Sequence, residues 1–171
     1  MIRSATISDS DTIAKELWNA WHKFKIRQIP TPMHSYASSE ALAAQIRHDL
    51  SRWLVCEPSG FFSFDAVGDD EIYQRWRFPA RTVRIDQFAC LLTGEAILQQ
   101  LQLLASCLPA QSILLVIPSS LRDAYWAATK AGFRPLGNCP LIIGSFVWLY
   151  LDREDRYDEI QAKLRKARVV V

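Results

Sequence analysis

The hydrophobic pattern of this chain switches between apolar residues three to four positions apart, typical of helices, and short apolar runs, typical of strands. The helical spacing predicts four helices that begin near Ser8, Ser38, Glu95 and Ser120. The apolar runs predict strands at Ile2–Thr6, Trp53–Cys56, Phe61–Val67, Thr82–Cys90, Gln111–Ile117 and Phe146–Leu151. A polar helix is predicted from Asp152 to Arg168, with acidic residues first and basic residues last, as the helix dipole favours.

The stretch from Gln111 to Gly137 carries the clearest local signal. Pro118 stops an apolar strand, a helix-length segment follows, and Gly132 ends that helix before a second strand begins. This pattern indicates a strand–helix–strand unit, and therefore an α/β protein.

Composition and charge exclude several classes of function. A chain of 171 residues, half of them hydrophobic, is long enough for one domain with a buried core. A net charge of +2 gives no electrostatic reason to expect a nucleic-acid partner. Charged residues interrupt the N-terminus, and the longest apolar run, Leu141–Leu151, is too short to span a bilayer as a helix. We therefore expect a cytoplasmic protein with no membrane partner.

The cysteines and histidines do not have the spacing of a metal site. Cysteines lie at positions 56, 90, 107 and 139, none in a CxxC pair, and histidines at positions 22, 34 and 48. We expect no metal, and we expect the cysteines to be buried, reduced thiols.

Two short motifs and the order of elements between them suggest a family. The chain opens with Ile2-Arg3-Ser4-Ala5-Thr6-Ile7-Ser8-Asp9, and its last predicted αβ connection contains Ala131-Gly132-Phe133. With the order β-α-α-β-β-β-α-β-α-β, residues 1–151 resemble the GNAT superfamily of acyltransferases. The resemblance implies a mixed, mostly antiparallel sheet flanked by helices, with residues 152–171 as a polar helical extension. It also implies acetyl-CoA, or another acyl-CoA, as co-substrate.

The loop that holds the acyl-CoA diphosphate in this family has the form Arg/Gln-x-x-Gly-x-Gly/Ala. The matching positions begin at Leu91, which departs from the pattern, whereas Gly94 and Ala96 agree with it and Glu95 adds a negative charge. The resemblance implies that backbone groups of this loop bind the diphosphate and that the preceding strand end binds the pantetheine arm. The implied cofactor-binding residues are Phe88, Ala89, Cys90, Leu92, Thr93, Gly94, Glu95 and Ala96. The alternative is an ordinary helix cap.

The family's general acid is a tyrosine, and its position here is Ala128. Tyr125 lies one turn earlier on about the same helix face, so we expect it to protonate the departing thiolate. The alternative is an aromatic residue that packs beside Trp126.

Strand alternation from Arg84 onward predicts that Arg84, Asp86, Phe88 and Cys90 share one face. Asp86 is the candidate base for the attacking amine, with Arg84 beside it on the substrate side. The alternative is a structural Arg84–Asp86 ion pair. His34 and Tyr36 lie between the first two helices, where the family often binds its acceptor; a loop histidine can equally be a solvated residue.

The sequence thus predicts an N-acyltransferase that moves an acyl group, most simply acetyl, directly to an amine of a small molecule or a protein. The alternative is a GNAT-like binding or regulatory module without catalysis, because fold alone does not establish chemistry. The sequence leaves open whether the protein is a homodimer.

Overall fold

The structure is a computed structural model that describes residues 1–28, 32–56, 60–66, 82–88, 94–108, 110–138, 146–154, 157–159 and 161–162. Its α-helices of eight or more residues are α1 (Ser10–Ile26), α2 (Ser39–His48), α3 (Gly94–Cys107) and α4 (Arg122–Lys130). Its strands are β1 (Ile2–Ser4), β2 (Trp53–Cys56), β3 (Phe61–Ala66), β4 (Thr82–Phe88), β5 (Ser112–Pro118), β6 (Arg134–Asn138) and β7 (Phe146–Asp152).

The described strands form one seven-stranded sheet in the order β1-β2-β3-β4-β5-β7-β6. Neighbouring strands are antiparallel except for β4 and β5, which are parallel and are connected through α3. This confirms the expected mixed, mostly antiparallel sheet flanked by helices. The sheet has one strand more than the predicted order, because the return after Gly132 forms β6, separate from β7.

Short-range polar contacts fix the start of α1. The Asp9 carboxylate accepts hydrogen bonds from both terminal nitrogens of the Arg3 guanidinium, at 2.7 and 2.9 Å. It also accepts from the backbone N–H of Thr6, at 2.7 Å, as a capping residue does. The bonds from Arg3, followed by those from Thr6, hold the pKa of Asp9 well below its usual range. The charged form of Asp9 therefore anchors the turn that leads into α1.

Helices α1 and α2 form an antiparallel hairpin. Helix α2 begins where the sequence predicted a helix, and Ser38 caps it, with its hydroxyl accepting from the N–H of Ala41 at 3.3 Å. Arg47, near the end of α2, donates to Asp11, near the start of α1, at 2.5 Å. The hairpin base lies where Ala5 N–H donates to the Trp53 carbonyl at 2.9 Å. Residues 27–28 and 32–38 therefore lie at the opposite end, which we call the hairpin tip.

The core lies around β5 and the inner faces of α3 and α4. Residues Ser112 to Leu115 are all buried, so β5 is covered on both faces of the sheet. Helix α3 also packs against the β2–β3 turn, where a side chain on Gly60 would collide with the Gln100 amide. The buried helix residues facing this core are Ile97, Leu101, Leu104, Ala124, Ala127 and Ala128.

The chain beyond β7 departs from the predicted polar helix at its start. Asp152 belongs to β7, where it pairs with Ser112, because the β5–β7 ladder continues to the last residue of the strand. Residues 157–159 and 161–162 are helical, and the rest of the predicted helix lies largely outside the described residues. Tyr157 is buried and its hydroxyl donates to the Pro135 carbonyl, so this segment docks on the sheet beside β6.

Two cysteines can be placed. Cys56 is buried, and burial raises the pKa of its thiol, which favours the protonated form. Cys107 is exposed at the end of α3, so the expectation that the cysteines are buried was wrong there. Cys90 and Cys139 lie outside the described residues. No helix in the described part of the chain has the length and apolar character needed to cross a membrane.

Candidate active site

The main feature of the candidate site is a parting of the two parallel strands. The β4–β5 register runs from Thr82–Ser112 to Ile85–Leu115. Beyond that point β4 stays with β3 as far as Phe88, and β5 stays with β7 as far as Pro118. The carboxyl ends of β4 and β5 therefore separate, and beyond Ile85 and Leu115 the backbone groups of the two strands no longer pair with each other. Ligands in α/β folds commonly bind at such a carboxyl-end opening.

A β-bulge lies on β4 at this opening. Ser63 and Phe64 are consecutive on β3, but their partners on β4 are Gln87 and Ile85, so Asp86 is the extra residue. The bulge shifts the alternation of β4 by one position. The prediction that Arg84, Asp86, Phe88 and Cys90 share one face assumed an unbroken alternation, and the bulge interrupts that alternation after Ile85.

Helix α3 begins at Gly94, with five residues between it and the end of β4. The first N–H groups of any helix have no acceptor within the helix, and with the positive dipole end they are the physical basis of anion binding at helix starts. Glu95 is exposed, and Gly94 and Ala96 are half-buried. The other predicted residues of this loop, Leu92 and Thr93, and the strand-end residues Ala89 and Cys90, lie outside the described residues.

The start of α4 packs against the start of α3. A methyl group on Gly94 would lie 3.3 Å from the six-membered ring of Trp126 and 3.7 Å from Cβ of Asp123. Gly94 is not among the glycines with positive φ, so the glycine serves close packing here and not an unusual backbone conformation. The sequence identified Trp126 only as a neighbour of Tyr125, and no local pattern links it to Gly94.

Tyr125 lies in the first turn of α4, directly beyond the open end of β5. A tight turn joins β5 to α4, with Leu121 N–H donating to the Pro118 carbonyl at 3.0 Å. Tyr125 is half-buried at the edge of the core, whereas Ala128 is fully buried. The position of Tyr125 near the opening suits both of its predicted roles, the general acid for the thiolate and an aromatic residue that packs beside Trp126.

The acceptor candidates lie on the other helix pair. His34 is part of the 3-10 turn Pro32–Ser35 at the hairpin tip, and Tyr36 follows it. The Tyr36 ring is half-buried and stacks on Trp21, with ring centroids 5.8 Å apart. Arg84 is half-buried on β4, and its register partner on β3 is Asp65. Among the residues that the structure describes, no group of His, Cys, Asp and Glu is arranged to hold a metal ion.

Comparison with solved structures finds the same fold over nearly the whole chain. The aminoglycoside acetyltransferase AAC(6')-Ib in complex with coenzyme A matches with a TM-score of 0.63 and 14% identity, over 92% of this chain and 97% of that one. An N-acetyltransferase from Staphylococcus aureus Mu50 matches with a TM-score of 0.61 and 18% identity, over 88% and 100%. A Bacillus halodurans protein of unassigned function matches with a TM-score of 0.64 and 13% identity, over 96% and 90%.

The chain therefore has the fold of the GNAT-type acetyltransferases, as the two sequence motifs indicated. At these identities the likeness concerns the fold alone. No family model matches the sequence. No curated protein matches it either.

Proposed function

We propose that the protein is an N-acyltransferase that transfers an acyl group, most simply acetyl, from acyl-CoA to the amine of a small molecule. The observation that carries this proposal is the parting of β4 from β5 next to the start of α3. An opening between strands offers backbone donors and acceptors to an extended, amide-containing pantetheine arm. The N–H groups at the helix start suit its diphosphate. Several structures with the same fold contain coenzyme A or acetyl-CoA, which supports the same co-substrate here.

In the proposed reaction each chain residue has a limited task. Asp86, at the bulge, accepts a proton from the acceptor ammonium, directly or through water, so that a neutral amine is available. The amine nitrogen then forms a bond to the thioester carbonyl carbon, the carbon–sulfur bond breaks, and the nitrogen releases its extra proton to water as the amide forms. Tyr125 supplies a proton to the thiolate that leaves. Backbone groups of Phe88 and of the start of α3 hold the acyl-CoA in place.

Calorimetric titration of the purified protein with acetyl-CoA is the first test. We expect saturable binding of acetyl-CoA, and we expect coenzyme A to bind at the same site. Release of free thiol from acetyl-CoA, measured with a mixture of primary amines, tests the transfer itself. If neither acetyl-CoA nor coenzyme A binds, the proposal is wrong.

The Asp86→Asn variant tests the proton step. We expect a lower rate at neutral pH that partly recovers at higher pH, where more of the free amine is already deprotonated. Acetyl-CoA affinity should not change, because the proposed role concerns the acceptor. An unaltered rate at every pH would show that another group or solvent removes the proton.

The buried Ala128, at the position of the family's acid, favours a second candidate, a module that binds acyl-CoA without catalysis. Acetyl-CoA binding without amine-dependent thiol release would support that module over the enzyme.

A further inference from the structure

The hairpin tip and the last turns of α1 contain only basic charges. Residues 17–39 include no Asp or Glu, but they include Lys23, Lys25 and Arg27. All three side chains are exposed, and none has an acidic partner in the part of the chain that the structure describes. Unneutralised charges of one sign repel cations and attract anions within about a Debye length, roughly 8 Å at physiological salt.

A row of aromatic rings lies along one side of the same helix end. Trp18 and Trp21 have ring centroids 6.5 Å apart, and the Tyr36 ring stacks on Trp21 at 5.8 Å with an angle of 21° between the planes. Trp21 is buried, whereas Trp18 and Tyr36 are half-buried and leave part of their rings accessible. We call these three residues the aromatic row. Such surfaces favour flat apolar groups.

Helical spacing places Lys25 beside this row. Lys25 follows Trp21 by four residues and Trp18 by seven, so all three lie on one side of α1. Lys23 lies two residues away, about 200° around the helix axis, and therefore on the other side. Lys25 thus flanks the aromatic row, whereas Lys23, in the same helix turn, does not.

The strand register places the hairpin tip toward the open end of the sheet. Ser4 of β1 lies in the same row of the sheet as Phe88 of β4, and Ile2 lies farther out. Strand β1 therefore runs away from the edge where β4 ends. Helix α1 must reverse direction to bury its apolar side on the sheet, so its last turns come back toward that edge.

We propose, on the basis of the acyltransfer proposed above, that the acceptor is an alkylamine that carries both an aromatic ring and an anionic group. The aromatic row takes the ring, Lys25 pairs with the anion, and the amine reaches the opening between β4 and β5. A polycationic amine is disfavoured, because its added positive charges meet the like charges of Lys23, Lys25 and Arg27.

A panel of matched amines tests this proposal by thiol release from acetyl-CoA. Phenylalanine is compared with phenethylamine, and O-phosphotyramine with tyramine, so that each pair differs by one anionic group. Kanamycin represents the polycations. We expect the anionic member of at least one pair to have a kcat/KM about tenfold or more above its partner, and kanamycin to be the poorest substrate. The pair that shows the preference distinguishes a carboxylate from a phosphate.

Charge reversal at two neighbouring lysines supplies the matched control. Lys25→Glu should lower kcat/KM for the preferred anionic amine about tenfold or more and change that of the partner without the anionic group by no more than about twofold. Lys23→Glu carries the same charge change on the other side of α1 and should have a much smaller effect. Added salt should reduce the Lys25→Glu effect. Circular dichroism of both variants verifies folding, and Lys25→Gln serves as a milder replacement if Lys25→Glu unfolds.

The outcomes separate this inference from the proposed function. Absence of binding of both acetyl-CoA and coenzyme A overturns the two proposals together. Acetyl-CoA binding with kanamycin as the best substrate, or with no preference within either pair, upholds acyltransfer and overturns the inference. Equal effects of the two lysine variants would show that Lys25 does not contact the acceptor.

Discussion

Substitution of Gly94 tests whether the start of α3 holds the acyl-CoA diphosphate. The variants are Gly94→Ala, Gly94→Asn and Gly94→Asp. Each introduces a Cβ about where it would meet the Trp126 ring at 3.3 Å, tighter than an ordinary van der Waals contact. Trp126 is 42% exposed, so its ring can move by the few tenths of an ångström required. The better helix propensity of alanine offsets that cost, and we expect Gly94→Ala to change the free energy of unfolding by about 0.5 kcal/mol or less.

The Asp variant adds a like charge to the proposed diphosphate site. Two unit charges about 5 Å apart, at an effective dielectric constant of about 40, repel each other by about 1.7 kcal/mol. A diphosphate carries two charges, so the total is about 3 kcal/mol and the Kd for acetyl-CoA should rise about 100-fold. The free protein should not be destabilised, because a carboxylate in the first turn of a helix interacts well with the dipole.

Gly94→Asn is the matched control, since its side chain has nearly the shape of Asp without the charge. Calorimetric titration with acetyl-CoA, at low and at high salt, measures the three affinities. The Asp variant should bind far more weakly than the Asn variant, and the difference should shrink in high salt. Equal affinities for the Asn and Asp variants would refute the reasoning and place the diphosphate elsewhere.

Three further variants test the acid, the first turn and the end of α1. Tyr125→Phe should lower kcat about 10- to 1000-fold with unchanged acetyl-CoA affinity; full activity would mean that solvent protonates the thiolate. Asp9→Asn should cost about 1 kcal/mol of unfolding free energy at pH 7 in urea denaturation. Because the pKa of Asp9 is depressed in the folded protein, that stability is present above about pH 4 and disappears as the pH falls through the native pKa, so the difference should vanish in acid. Gln28 has φ of 57°, so Gln28→Gly should raise stability by roughly 0.5–1 kcal/mol in thermal denaturation; a loss would show that the side chain has a compensating contact.

The elements that the sequence predicted well depend on neighbouring residues. Ser38 caps α2 because a hydroxyl can reach an N–H three residues on, and this requires no distant contact. Trp53–Cys56 is a strand with the predicted bounds, because its apolar run lies between a helix end and a turn. The β-α-β stretch was recognised for the same reason, since Pro118 and Gly132 interrupt regular structure locally.

The features that escaped prediction depend on residues far apart in the chain. Asp86 is a bulge residue only in relation to the pairing of Ser63 and Phe64, and no local pattern specifies that pairing. The contact between Gly94 and Trp126 arises from the packing of two helices. The faces of β4 could not be assigned from alternation alone, because one extra residue reverses every position beyond it.

The two departures from the family pattern, at Leu91 and Ala128, affect binding and catalysis unequally. In the proposed site the parting of β4 from β5 and the helix start at Gly94 offer backbone groups, which any side chain leaves in place. We therefore expect the departures at Leu91 and Ala128 to weaken acyl-CoA binding only in part. Proton transfer depends on side chains or on solvent, and in the proposed reaction Asp86 and Tyr125 carry it. Acyl-CoA affinity and amine-dependent turnover are thus separate predictions, and the comparison of the two measurements distinguishes an enzyme from a binding module.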